Sequence, residues 1–166
     1  MDAQLHEIIT PELLAHIRKT YQLRWEGIHG WAHWMRVYEN GMFMAQRNGA
    51  NQAVVALFAF THDMARQSDG RDHDHGPRAA RLIQSDLQGK FFHLPAAELT
   101  LLVQAVDLHT RGLTQADITV QTCWDSDRLD LGRAGYHPSP ERLCTDVARD
   151  PKTIAWAYER SIHGRS

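Results

Sequence analysis

The stretch N-Q-A-V-V-A-L-F-A-F-T-H-D-M-A-R, residues 51–66, decides the fold. By periodicity alone the apolar run from Ala53 to Phe60 fits a buried strand as well as a buried helix. The run continues to Met64 without a turn residue and contains three alanines, while Asn51 stands where an N-cap belongs. The spacing therefore predicts a buried helix. At its end come His62 and Asp63, two polar groups whose burial costs several kcal/mol unless they find partners.

Working outward, the flanking segments also read as helices. Thr10-Pro11-Glu12 gives an N-cap, a proline at the first helical position and an early acid, followed by an apolar stripe of Leu13, Leu14, Ile17 and Tyr21. A second helix runs from about Gly30 to Arg47, with Trp31, Trp34, Met35, Tyr38, Met42 and Ala45 at helical spacing. Val37 and Met44 give it a second apolar face, so it is central. Residues 66–76 (RQSDGRDHDHG) are polar and contain glycine, which predicts a loop. Further helices are expected from Pro77 to near Gly89, from Pro95 to about His109, from Thr122 to Arg133, and from Asp150-Pro151 onward. Ser139-Pro140 opens a short turn of helix. No segment alternates with period two. The expectation is an all-α, single-domain helical bundle over residues 1–166.

Composition excludes several roles. The 166 residues carry 18 Lys+Arg against 20 Asp+Glu, so no overall basic field favours strong nucleic-acid binding. No apolar stretch reaches the roughly 18 residues that span a bilayer, and Met1-Asp2-Ala3-Gln4 lacks the order of a signal peptide. Cys123 and Cys144 have no CxxC spacing and are too few for a disulfide scaffold, which points to a reducing, cytoplasmic setting.

The 11 histidines are distributed unevenly. His6, His16, His93, His137 and His163 read as surface or helix-capping residues. His29, His33, His62, His73, His75 and His109 concentrate in one region. His33 falls on the buried second helix. His62 and Asp63 project about 100° apart, so they do not face each other, yet both can converge on one ion lying between those directions. A cation would offset the cost of burying Asp63. In Asp125-Ser126-Asp127-Arg128-Leu129-Asp130, Asp127 and Asp130 share a helix face, which alone reads as a solvated acidic surface.

His33, then His62-Asp63 29 residues on, then Asp127 after 64 more, resembles the H…HD…D signature of the HD superfamily of metal-dependent phosphohydrolases. The contexts HGWAHWMRV, FTHDMAR and DSDRLDLGRAG carry the likeness, over about residues 29–135. The resemblance implies an HD-type bundle with His33, His62, Asp63 and Asp127 as metal ligands, Asp127 being preferred to Asp125 for the Arg-Leu that follows it. It also implies that His75 and His109 hold a second metal or contact substrate phosphate, with His73 competing with His75. Asp63 is expected to orient the nucleophile, and His75 or His109 to protonate the leaving oxygen. Imidazole and carboxylate donors suit Mn, Fe, Co, Ni or Zn. Among 15 Arg and 3 Lys, Arg36, Arg66 and Arg128 lie near these positions and suit bidentate phosphate binding. Trp31, Trp34 and Trp124 either stack on a base or fill the core. The expected function is hydrolysis of a small phosphorylated metabolite, a nucleotide. The alternatives are an HD-type di-iron oxygenase and a non-catalytic metal- or nucleotide-binding module.

Overall fold

The computed structural model describes residues 5–163, so the reading of Met1–Gln4 lies outside the described residues. Helix α1 (Pro11–Thr20) starts where Thr10 accepts a hydrogen bond from the Leu13 amide, and it buries Leu13 and Ile17. Helix α2 (Trp31–Asn48) ends at Gly49, whose φ of 77° reverses the chain at little steric cost. Helix α3 (Gln52–Thr61) follows at once, capped by the Asn51 side chain on the Val54 amide, and buries every residue from Val54 to Thr61. So short a connection makes α2 and α3 antiparallel neighbours.

Helix α4 (His75–Leu82) and its continuation as a π turn (Ile83–Leu87) pack against α5 (Ala96–Leu108). Helix α6 (Ile118–Arg128) leads through a 3-10 turn (Leu131–Ala134), a second one (Pro140–Arg142) and the single-turn α7 (Asp146–Arg149) to α8 (Pro151–His163). Among the described residues there is no strand, only an isolated bridge between Gln88 and Phe92. Helix α3 lies at the centre, packed on α2, α5 and α6. No helix among these residues is long and apolar enough to cross a membrane.

Two boundaries differ from the sequence expectation, and both bear on the site. Helix α4 begins at His75, not Pro77, because a proline in the first turn costs no intrahelical hydrogen bond. His75 is therefore a helical residue, not part of the loop. Helix α6 begins four residues before Thr122, where the Asp117 side chain accepts from the Thr119 amide. It stops at Arg128, so Asp130 lies past its end. The tryptophans divide: Trp34 and Trp124 are fully buried core, and the Trp124 indole N–H donates to the Ala105 carbonyl at 3.0 Å. Trp31 is half-buried and stacks on Trp25.

Gly76 sits where α4 crosses the end of α5. A Cβ there would lie 2.8 Å from the Val106 carbonyl oxygen and 3.0 Å from that of Asp107. The two backbones meet at a distance that only glycine permits.

Candidate metal centre

Two antiparallel helix pairs build the site in the same way. In each pair a histidine at the start of one helix faces a histidine at the end of the next: His33 of α2 faces His62 at the end of α3, and His75 of α4 faces His109 at the end of α5. Within each pair the Nε2 atoms approach closely, to 3.2 Å between His33 and His62 and 2.9 Å between His75 and His109.

The opposite ring nitrogens are all engaged. His62 Nδ1 donates to the Phe58 and Ala59 carbonyls at 3.1 and 3.2 Å, and His109 Nδ1 donates to the Val106 carbonyl at 2.7 Å. His75 Nδ1 donates to the Asp72 carbonyl at 2.5 Å, and His33 Nδ1 to the Asp130 carboxylate at 2.7 Å. Carbonyl and carboxylate oxygens only accept, so these nitrogens carry the ring protons. The four neutral rings then aim bare Nε2 lone pairs at one another. Each pair needs a positive charge between its members, either a metal ion or an extra proton.

Asp63 joins the two pairs. Its Oδ2 lies 3.7 Å from both His33 and His62 Nε2, while Oδ1 lies 3.0 Å from His75 Nε2 and 3.6 Å from His109 Nε2. Asp127 Oδ1 completes the first group, 3.5 Å from His33 and 3.9 Å from His62. Donors about 2.1 Å from one tetrahedral ion are separated from each other by about 3.4 Å, so these separations fit a single divalent cation. Two three-donor groups result, His33–His62–Asp127 and Asp63–His75–His109. The side chains of His33, His62 and Asp63 are at most 3% exposed, whereas Asp127 is 20% exposed and marks the side open to solvent.

The electrostatics distinguish the two pairs. Burial drives His33 well below the ordinary imidazole value, with Arg133 adding to the effect, and burial also lowers His62. A proton is thus a poor bridge for the first pair, whose donors could hold a metal ion instead. Burial also opposes charge on His109, but Asp63 outweighs it and raises the ring, so the second pair can hold either a proton or an ion. Burial works against ionisation of Asp63, yet His62, His109, His75 and His33 hold its carboxyl well below the usual range. In the same way His62, Arg133 and His33 overcome burial and bring Asp127 down to about 2.

These shifts give the metal-free protein a pH-dependent stability. Buried His29, His33 and His62 refuse protons that the unfolded chain accepts, so stability falls as pH drops below about 6.5. Asp63 and Asp127 extend the loss below about pH 4. His109 runs the other way, contributing stability that fades as pH rises through its elevated value, and buried Asp125 and Asp130, both raised by burial, also oppose the loss at acid pH. Melting in chelator between pH 8 and 4 should show Tm decreasing toward acid; a Tm that rises toward acid contradicts this charge assignment.

The arginines separate. Arg66 Nε donates to Asp63 Oδ1 at 3.1 Å, holding that carboxylate from outside. Arg36 instead engages Asp130, with Nε donating to Oδ1 at 2.6 Å. Arg128 is not brought to the cluster: its guanidinium packs over Trp124 and donates to the Arg142 carbonyl. His29 pairs with Asp69 at 3.0 Å, and of His73 and His75 it is His75 that belongs to a donor group. Asp125 lies in the protein interior, accepting from the Cys144 and Thr145 amides and the Thr145 hydroxyl.

Two residues escaped the sequence reading. Asp130 is fully buried and is no solvated acid; it orients His33 and fixes its tautomer. Arg133, on the 3-10 turn, lies 3.8 Å from Asp127 and 3.6 Å from Asp130, and donates to the Ile28 carbonyl. The available signal was a pair of matching spacings: His33 and Arg36 are three apart on α2, as are Asp127 and Asp130. Asp130→Asn is expected to weaken metal affinity 10- to 100-fold, the usual cost of losing a ligand's supporting carboxylate. Competitive titration against a metal-sensitive dye measures this, and unchanged affinity reduces Asp130 to a packing role.

No protein-family model and no curated protein matches the chain. Among solved structures, the crystal structure of a predicted HD superfamily hydrolase from an uncultured Thermotogales bacterium is similar, with a TM-score of 0.69 and 23% sequence identity over 92% of this chain and 86% of that one. The chain thus has the all-α fold of that predicted HD superfamily hydrolase.

Proposed function

We propose that the protein is a metal-dependent phosphohydrolase acting on a small phosphoester, a nucleotide in the first instance. The observation that carries the reading is the convergence of four Nδ1-protonated imidazoles on two points joined by the Asp63 carboxylate. His33, His62, Asp63 and Asp127 would hold one divalent ion, and His75 and His109 with Asp63 a second. A bound ion supplies Lewis-acid charge for the phosphoryl group and lowers the pKa of water toward neutrality.

The chain's own groups account for the remaining requirements. Arg66 holds Asp63 in place through its Nε–H bond to Oδ1. Arg133, beside the open edge at Asp127, offers a cation where the phosphate would arrive. When the second pair holds a proton, His109 keeps it at Nε2, within reach of a leaving oxygen. With a net charge of −2 the protein has no long-range pull on anions, so capture falls to these local groups.

The test is a panel of nucleotides and phosphoesters offered to protein loaded with Mn²⁺ or Co²⁺, read as release of phosphate or pyrophosphate. Inert loaded protein would overturn the reading. The same six donors would also suit two irons, and oxygen consumption by iron-loaded protein would favour an oxygenase. Tight nucleotide binding without turnover would favour a binding module.

A further inference from the structure

A second cluster of cationic side chains lines a cavity that none of the donor residues borders. This cavity of about 490 Å³ is lined by Arg128, Tyr136, His137, Ser139 and Arg142, with Leu131 and Leu143 as apolar wall. This falls within the size range of small-molecule sites, roughly 300–1,000 Å³. Neither arginine has a carboxylate partner among the described residues. One Arg128 terminal nitrogen donates to the Arg142 carbonyl, while the other is shielded from solvent and has no acceptor. Arg128 and Arg142 are the cations of the lining that an anion in the cavity would meet. Glu141, next to Arg142 in sequence, accepts the Ser139 hydroxyl and is itself open to solvent, and Asp127, next to Arg128, belongs to the donor groups.

The rest of the lining restricts the class of anion. Tyr136 is 67% exposed, the most exposed of the large hydrophobic side chains, and stands at the rim of this cavity. His137 is held in place, its ring packed on Tyr158 at 4.5 Å between centroids and its Nδ1 donating to the Pro138 carbonyl at 3.0 Å. Two guanidinium groups suit a phosphate, and an unpartnered aromatic face suits a ring attached to it.

We propose that this cavity binds a phosphate monoester bearing an aromatic ring, of the nucleoside monophosphate class, independently of the metal centre. The inference goes beyond the hydrolytic reading and does not rest on it. Calorimetric titration of chelator-treated protein with adenosine 5′-monophosphate, and with adenosine as the uncharged control, tests it. Binding is expected for the monophosphate and at least tenfold weaker for adenosine. Arg142→Ala and Tyr136→Ala, both at exposed positions that leave the core intact, should each weaken the monophosphate at least fivefold. Arg128→Met serves as a third variant, its fold checked by melting. Absence of binding at millimolar ligand, or unchanged affinity in Arg142→Ala and Tyr136→Ala, overturns the proposal. Binding that appears only after metal is restored places the ligand at the donor groups and overturns it as well, while leaving the hydrolytic reading untouched.

Discussion

Asp63→Asn is expected to abolish metal binding at both donor groups while leaving a folded chain. The substitution preserves shape and volume but removes the carboxylate that, alone among the described residues, lies within 4 Å of all four histidines. Replacing a supporting group around a metal ligand already costs 10- to 100-fold in affinity. Losing the bridging ligand should therefore cost at least about 100-fold at each position, with a similar loss in phosphate release. The change also leaves Arg66 without its anion and removes the charge that raises His109. His109 should then bind its proton more weakly. Elemental analysis of the purified variant, with circular dichroism as the folding control, gives the answer. Full metal content in Asp63→Asn would sink the assignment.

Metal itself should have the second large effect. Ligand at a thousandfold excess over Kd stabilises the folded state by about 4 kcal/mol. For a chain of this size each kcal/mol moves Tm by about 2–4 °C. Protein saturated with Mn²⁺ or Co²⁺ is thus expected to melt roughly 8–16 °C above chelator-treated protein. The gain should shrink below about pH 6.5, where protons compete for the imidazoles. His75→Ala separates the two positions: it should retain one ion at His33, His62 and Asp127 and lose the other. Identical melting with and without metal would show that the Nε2 pairs are satisfied in some other way.

Much of this was legible in the sequence, for a physical reason. A polar pair at the end of an all-apolar helix demands a partner, which singled out His62 and Asp63, whereas His33 and Asp127 were named by the resemblance to the HD superfamily signature. Their convergence also requires antiparallel helix pairing, which the short turn at Gly49 makes foreseeable. Asp130 was misread because the helix was extended through it. On a continuous helix it shares the face of Asp127, but with α6 ending at Arg128 it turns inward to His33 and Arg36. Arg36 and Arg128 were expected beside the donor groups, but proximity in sequence says nothing about direction. One is taken by Asp130 and the other by the face of Trp124. Arg133 was invisible for the opposite reason, since only the 3-10 turn carries it back to Asp127.

The crossing at Gly76 bears on how far this sequence can drift. His75 and His109 meet at 2.9 Å only because their helices touch backbone to backbone one residue away. A methyl group at position 76 would act as a spacer between α4 and the carbonyls of α5, with its third-nearest neighbour the His109 ring nitrogen at 3.3 Å. The separation of that histidine pair is therefore written at a position that binds nothing, and its tolerance there is a single carbon atom.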